Sequence, residues 1–524
     1  MRRTETIENE RQREQERLDA GRTAQERNVL GQFATPPALA TQIADYALEL
    51  WKERRAKVRF LDPGIGTGAF YAALRGVFSE KLVERAVGVE IDPRFVKTAK
   101  ALWSEDGLEV TEADFTTMRP PASHHRFNLV LTNPPYVRHH HLEAAQKEKL
   151  QRLVARRLGI RVSGLSGLYC YFLLLCHDWL EEDALALWLV PSEFMDVNYG
   201  AAIKEYLTER VTLLRIHRFH EADVQFDDAL VTSAVVAFRS GQPPRGHRAE
   251  FSFGGTLGKP VVREMVQVAV LRDLRQKWSN HPAGAGNGRR TDPSAVALGD
   301  LFTIKRGIAT GANEFFIVPT DEALARGLPR ECLKPILPSP RYLRAAVIES
   351  GPRGYPQIEK PLALIACSYP EKVVRERYPQ LWNYLEAGKR KGIHERYLTA
   401  GRSPWYSQEE RPPAPFLCTY MGRNRSRPFR FLWNKSQATA ANVYLMLYPK
   451  EPLATALRKD PQLFEKTFRF LGSIAPENFL GEGRVYGGGL FKIEPKELAR
   501  LDADALAEQT GLRGLRRQSR LGFA

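Results

Sequence analysis

Two consecutive prolines, Pro134 and Pro135, close the apolar run Phe127-Asn128-Leu129-Val130-Leu131-Thr132. A run of this kind reads as a buried strand, and paired prolines forbid its continuation while holding the backbone extended. The strand must therefore stop at Asn133-Pro134-Pro135-Tyr136. That stop presents the Asn133 side-chain amide and the Pro134 carbonyl at the carboxyl end of the strand. Two rigid acceptors beside an aromatic ring suit the gripping of an exocyclic amino group while Tyr136 packs on the flat base that carries it. An Asn-Pro-Pro turn is also plain strand-end punctuation, so the residues upstream decide between the two.

Upstream, Val58–Leu61 reads as a strand and Ala69–Val77 as a helix, joined by Asp62-Pro63-Gly64-Ile65-Gly66-Thr67-Gly68. Glycines in such a turn let backbone approach a ligand closely. The next strand, Ala86-Val87-Gly88-Val89-Glu90, ends in an acid 22 positions beyond Gly68, where a carboxylate accepts from ribose hydroxyls. After a third segment, Leu108–Val110, Asp114 is placed to accept from an adenine amino group, with Phe115 against the ring. Taken singly, Glu90 and Asp114 read equally well as loop carboxylates. Four such strand ends in this order argue for a ligand site.

The ordered set resembles the TaqI-like, gamma-type adenine-N6 DNA methyltransferases of restriction–modification systems. The motifs that carry the resemblance are Gly31-Gln32-Phe33-Ala34-Thr35-Pro36, Asp62 through Gly68, Val87 through Pro93, Ala113-Asp114-Phe115 and Asn133 through Tyr136. Gly167-Leu168-Tyr169, Leu189-Val190-Pro191, and Val224-Gln225-Phe226 with Val231 through Val236 extend the match to about residues 28–240. The resemblance implies an α/β fold: a Rossmann-like S-adenosylmethionine-dependent domain followed by a mixed α/β DNA target-recognition domain. It implies S-adenosylmethionine as methyl donor, with Thr35 and Pro36 on one wall and Asp62, Gly64 and Gly66 bordering the methionine part. Glu90 takes the ribose, Ile91 packs on the adenine ring, Asp114 and Phe115 read its amino group and face, and Asn133 closes the site. Asn133 and Pro134 then grip the target amine of an adenine flipped out of duplex DNA, between Tyr136 and Phe226. The Asp62-Pro63-Gly64-Ile65-Gly66 form of the glycine turn departs from the usual pattern and leaves open which backbone groups touch the cofactor.

Charge supports a polyphosphate partner. The chain has 524 residues and a net charge of +16. Residues 1–300 carry 41 Lys+Arg against 39 Asp+Glu, whereas residues 301–524 carry 36 against 22. Clustered cations are rewarded by counterion release on nucleic acid. Residues 1–28 read as a charged exposed helix that docks on the rest of the chain or on DNA. Alternating strand and helix signals set a catalytic domain at 29–278. A glycine-rich linker follows at 279–296, and a target-recognition domain at 297–524. In that last domain Lys305 and Arg306 open a segment that reads either as a phosphate- or base-contacting loop or as a strand-turn with surface charges. Arg423, Arg425 and Arg427 form the densest basic run, suited mainly to phosphate neutralisation.

The remaining features exclude more than they add. No apolar run is long enough to cross a bilayer and no signal peptide is visible, so a cytoplasmic, nucleoid-associated bacterial or archaeal enzyme is expected. The five cysteines lack paired metal spacing, and His139-His140-His141 reads as a solvated or phosphate-facing loop, so no metal is expected. An RNA adenine-N6 methyltransferase and a protein glutamine-N5 methyltransferase share the same amine chemistry. The strongly basic second half speaks against the protein substrate. No nuclease domain is evident before residue 28, so any cognate restriction endonuclease is expected to be a separate chain.

Overall fold

The computed structural model describes residues 2–23, 26–27, 30–52, 56–220, 232–274, 276–282, 296–424, 426–486 and 490–512. Phe226, Arg425 and most of the 279–296 segment lie outside the described residues. The chain divides into two compact units, Met1–Gly286 with Tyr486–Gly488, and Asn287–Val485 with Gly489–Ala524.

The first unit is built on a nine-stranded sheet. Helices α1 (Arg2–Ala20) and α2 (Pro37–Trp51) precede strand β1 (Val58–Asp62). Helix α3 (Ala69–Val77), strand β2 (Val83–Glu90), helix α4 (Pro93–Trp103), strand β3 (Leu108–Glu112) and strand β4 (Phe127–Thr132) follow. Helices α5 (Ala144–Leu158) and α6 (Leu168–Leu175) lead to strand β5 (Leu180–Pro191), and α7 (Ala201–Glu209) leads to strand β6 (Val211–Arg218). Strands β7 (Ser233–Ser240), β8 (Arg248–Gly255) and β9 (Pro260–Gln267) complete the sheet.

Its spatial order is β3-β2-β1-β4-β5-β7-β6-β8-β9. Strands β1 to β5 pair in parallel, whereas β7 runs antiparallel between β5 and β6. All six residues of β4 are buried, as a parallel strand covered on both faces requires. Because β1, β2, β3 and β4 point the same way, the residues after each of them gather at one edge of the sheet. Helix α4 starts cleanly there: Asp92 caps it by accepting from the Arg94 amide at 3.0 Å, and Pro93 occupies the first turn.

The second unit is mixed α/β. One sheet has the order Phe302–Arg306, Tyr444–Pro449, Phe416–Thr419, Phe431–Asn434, Val347–Ile348. A four-stranded sheet includes Leu333–Leu337 and Leu362–Ile365, with the helices Glu371–Arg377 and Pro379–Arg390 following in the chain. Three apolar clusters support them, one around Phe416 and Leu447, one around Phe316 and Leu364, and one around Leu417 and Met446. Among the described residues no helix is long and apolar enough to cross a membrane.

Candidate cofactor and amine site

A cavity of about 360 Å³ opens at the carboxyl edge of β1, β2, β3 and β4. Thr35, Asp62, Gly64, Gly66, Glu90, Ile91, Asp114, Phe115, Asn133 and Pro134 all line it, so five segments far apart in sequence meet at one place. Two residues assigned to the site from sequence do not line it: Pro36, which sits at the amino end of α2, and Tyr136.

Glu90 is tied more tightly than a ribose partner needs to be. One carboxylate oxygen accepts from the Gly66 amide at 3.0 Å, and the other from the amides of Ile91 and Asp92, both at 2.9 Å. The side chain therefore welds the glycine turn after β1 to the turn after β2. Burial raises its pKa, against the pull of those amides. Asp62 is 1% exposed and accepts from the Thr132 hydroxyl at 2.6 Å and the Gly64 amide at 3.1 Å. Burial pushes its carboxyl up to about 7, and the nearby Glu90 charge adds to the effect.

Asn133 is oriented by its neighbours. Its Nδ2 donates to the Phe33 carbonyl at 3.0 Å and to Thr35 Oγ1 at 3.1 Å. A carbonyl accepts only from N–H, so the amide oxygen is the atom left over. That Oδ1 is buried and has no hydrogen-bond partner. A shut-away acceptor without a donor costs about 1–3 kcal/mol, and at the wall of a cavity a ligand donor can remove that cost. The same turn is held at Gly31, whose carbonyl accepts from the Tyr136 amide at 2.9 Å. Gly31 has φ +63°, and a Cβ there would stand 2.3 Å from the Val137 nitrogen, so only glycine permits this approach.

Tyr136 differs from its sequence reading. Its ring is 6% exposed and packs against Phe33 and Tyr169, while its hydroxyl donates to the Leu189 carbonyl at 3.0 Å. It underlies the turn instead of facing the open cavity. Phe115 is buried against Phe172 and Trp179 and forms part of the wall. Asp114 spends one oxygen on the amide and hydroxyl of Thr116. Ile91 keeps 64% of its surface exposed at the rim, an uncovered apolar face.

Sequence reasoning missed the contribution of α1. Gln15 and Asp19 line the cavity, and Gln15 accepts from the Thr67 hydroxyl at 2.8 Å. The signal was present as polar residues at helical spacing, Glu8, Arg11, Gln15 and Asp19, a pattern that ordinarily marks a solvated face.

In the second unit Lys305 is exposed on the edge strand Phe302–Arg306. Arg306 is exposed too, yet its guanidinium lies 4.1 Å over the Tyr420 ring and its Nε donates to the Asn442 carbonyl at 3.0 Å. Arg423 and Arg427 are exposed on the connection between Met421–Gly422 and Phe431–Asn434.

A parallel sheet in the order 3-2-1-4-5-7-6 with its seventh strand reversed, carrying a glycine-walled cavity at its carboxyl edge, defines a Rossmann-like S-adenosylmethionine-dependent methyltransferase fold. The family model "Eco57I restriction-modification methylase" matches residues 72–225, and "Type II methyltransferase M.Eco57I, C-terminal domain" matches residues 288–518. Type II methyltransferase M.XamI of Xanthomonas campestris pv. amaranthicola is 30% identical over 467 residues, covering 86% of this chain and 81% of that protein. Type II methyltransferase M.AccI of Acinetobacter calcoaceticus is 24% identical over 502 residues, covering 92% and 87%. The solved type IIL restriction-modification enzyme MmeI in complex with DNA shares the fold, with a TM-score of 0.53 at 12% identity over 89% of this chain and 63% of that one. The chain belongs to the type II methyltransferases of restriction–modification systems and is a DNA methyltransferase.

Proposed function

We propose that the protein transfers a methyl group from S-adenosylmethionine to the N6 amino group of adenine within a short duplex DNA sequence, as the modification component of a restriction–modification system. The observation that carries this reading is the buried, unpaired Oδ1 of Asn133, with its amide nitrogen pinned by Phe33 and Thr35. The order of the motifs along the chain supports the gamma-type, TaqI-like subdivision.

The residues present fit the cofactor. Ile91 offers an apolar face for a purine, and a Cβ on Gly66 would meet nothing within 4 Å, which leaves room beside the glycine turn. Glu90 and Asp114 would hold the ribose and adenine amino group, and Asp62 would face the cationic methionine end. Bound S-adenosylmethionine supplies an electrophilic sulfonium methyl.

The lone pair of an adenine amine is delocalised into the ring, so the site has to favour a pyramidal nitrogen rather than abstract a proton first. Asn133 Oδ1 and the Pro134 carbonyl accept from the two amino hydrogens and do so in fixed positions, an electrostatic and positional effect. The amine is buried in a duplex, and rotating the nucleotide out costs about a few kcal/mol. Stacking on an aromatic ring returns about 1–3 kcal/mol. We assign that stacking to Phe226; Tyr136, buried beneath the turn, holds Asn133 and Pro134 in place from below. Phe226 belongs to a segment whose ends are bonded at the same sheet edge: Phe219 donates to the Ser233 carbonyl at 3.3 Å, and the Thr232 carbonyl accepts from Ser192 at 2.8 Å. Target recognition is assigned to the second unit, with Lys305, Arg306, Arg423, Arg425 and Arg427 as DNA contacts; Arg306 is steadied on the Tyr420 ring. A separate cognate endonuclease is the expected partner.

The test is methyl transfer from labelled S-adenosylmethionine to duplex DNA, RNA and protein release factor, followed by nucleoside analysis. N6-methyladenine in DNA alone is expected. Label in cytosine, in RNA or in a glutamine side chain would replace this reading with the corresponding one.

A further inference from the structure

Helix α1 turns polar residues as well as apolar ones toward the interior of the first unit. Arg11 is 2% exposed, and its guanidinium donates to both Glu8 oxygens at 2.7 Å and to Thr67 Oγ1 at 2.9 Å. The Thr67 hydroxyl in turn donates to Gln15 Oε1. Thr67 lies in the glycine turn, between Gly66 and Gly68. Just past the end of α1, Arg22 donates to Asp92 Oδ2 at 2.8 Å. Asp92 follows Glu90 and Ile91 and caps α4.

Helix α1 and the residue pair just past its end thus grip both turns that border the cofactor cavity, the first through Arg11 and Gln15 and the second through Arg22. Docking a helix does not demand this. Ile7 and Leu18 already give α1 apolar contacts, and burying a guanidinium is costly unless it is paired. The chain places its buried charge where the two turns must keep their spacing. The cavity-lining positions of Gln15 and Asp19 put the same helix within reach of whatever occupies the space.

We propose that Arg11, Gln15 and Arg22 are positioning residues of the methyl-donor site. Helix α1 straps the Gly64–Gly66 turn to the Glu90–Ile91 turn, so that cavity occupancy and docking of α1 reinforce each other. The coupling is reciprocal by linkage: the factor by which α1 tightens donor binding is the factor by which the donor tightens α1. This inference rests on the cavity being the S-adenosylmethionine site.

The test uses the full chain, with a Glu8→Gln/Arg11→Met double variant that strands no charge, together with Arg22→Ala and Arg22→Lys. Calorimetry with S-adenosylmethionine and S-adenosylhomocysteine gives Kd, hydrogen exchange reports residues 8–22 with and without S-adenosylhomocysteine, and kinetics on duplex DNA separate KM from kcat. The double variant and Arg22→Ala are expected to raise Kd and KM about tenfold, within the usual range of coupling. Their kcat at saturating donor is expected to fall less than about threefold. Arg22→Lys should recover most of the lost affinity, and S-adenosylhomocysteine should slow exchange across α1 in the parent protein. A lowered melting temperature with unchanged Kd would overturn the proposal and leave α1 a purely structural helix. Should the double variant fail to fold, a parental Kd in Arg22→Ala overturns it alone. If the parent protein binds neither ligand, the donor reading falls as well; if parent and variants bind equally, only the strap falls.

Discussion

Asn133 donates through its side-chain nitrogen to the main-chain oxygen of Phe33, 100 residues earlier in the chain, at a distance of 3.0 Å. The bond joins the turn after β4 to the segment before α2, and it leaves the asparagine oxygen as an acceptor held in place before any substrate arrives. Preorganisation of this kind acts on the transition state more than on ground-state binding. Asn133→Ala is therefore expected to lower methyl transfer by about 10²–10³-fold, the range for loss of one fixed polar group at a reacting centre. Donor affinity measured by calorimetry should change far less. A matched loss of both would move the residue's role from the reacting amine to the architecture of the cavity.

If Asp62 faces the cationic end of the donor as proposed, donor binding should depend on pH. Its ordinary value near 3.8 is raised to about 7, chiefly by burial. Folding therefore favours the protonated acid: the stability it contributes is complete below the unfolded value and is lost as pH rises through about 7. A cationic ligand prefers the ionised form. S-adenosylmethionine affinity should thus increase as pH climbs toward 7 and level off above it, with proton release on binding below that point. Asp62→Asn keeps the acceptor for Thr132 and Gly64 and should flatten the profile. An equally steep profile in the variant would assign the dependence to another group.

Glu90 supports the same cavity by accepting from three backbone amides. Glu90→Gln preserves the shape but sets an NH2 group against at least one of those amides. Hydrogen bonds to a charged group contribute about 1.5–3 kcal/mol, so donor affinity is expected to weaken by about tenfold or more, with a fall in melting temperature. Weaker melting with unaltered affinity would restrict Glu90 to holding the turns together.

Arg423 and Arg427 are exposed on one connection of the second unit. Replacing both with glutamine should weaken binding to all duplex sequences alike and reduce the slope of log affinity against log salt by about 2, near 0.9 for each phosphate released. A loss confined to one sequence would make them base readers, and an unchanged slope would place the DNA face elsewhere.

Much of the first unit's fold is written in local pattern. Strands such as β4, buried along their whole length, read as continuous apolar runs, and the Gly64–Gly68 and Pro134–Pro135 punctuation marks their ends. Spatial order is different in kind. Nothing in the local residues of Ser233–Ser240 says that this strand inserts backwards between β5 and β6, because neighbours in a sheet are chosen by tertiary packing and not by sequence adjacency. The site divides along the same line. Asn133, Glu90 and Asp114 were legible because each is a polar residue at or just past the carboxyl end of a strand. The burial of Tyr136 was not, since a tyrosine after a proline pair reads the same whether its ring faces a ligand or the Leu189 carbonyl. The part played by Arg11 and Gln15 stayed hidden because a polar helical stripe looks solvated until its partner, Thr67, is known.

Each described residue that walls the cavity falls between Gln15 and Phe172, within the first third of the chain. The described wall of the donor cavity is thereby drawn from one short block of sequence. The second unit supplies none of the described wall, so substitutions confined to it are expected to change which duplex is bound while leaving the grip on the donor at its parental strength.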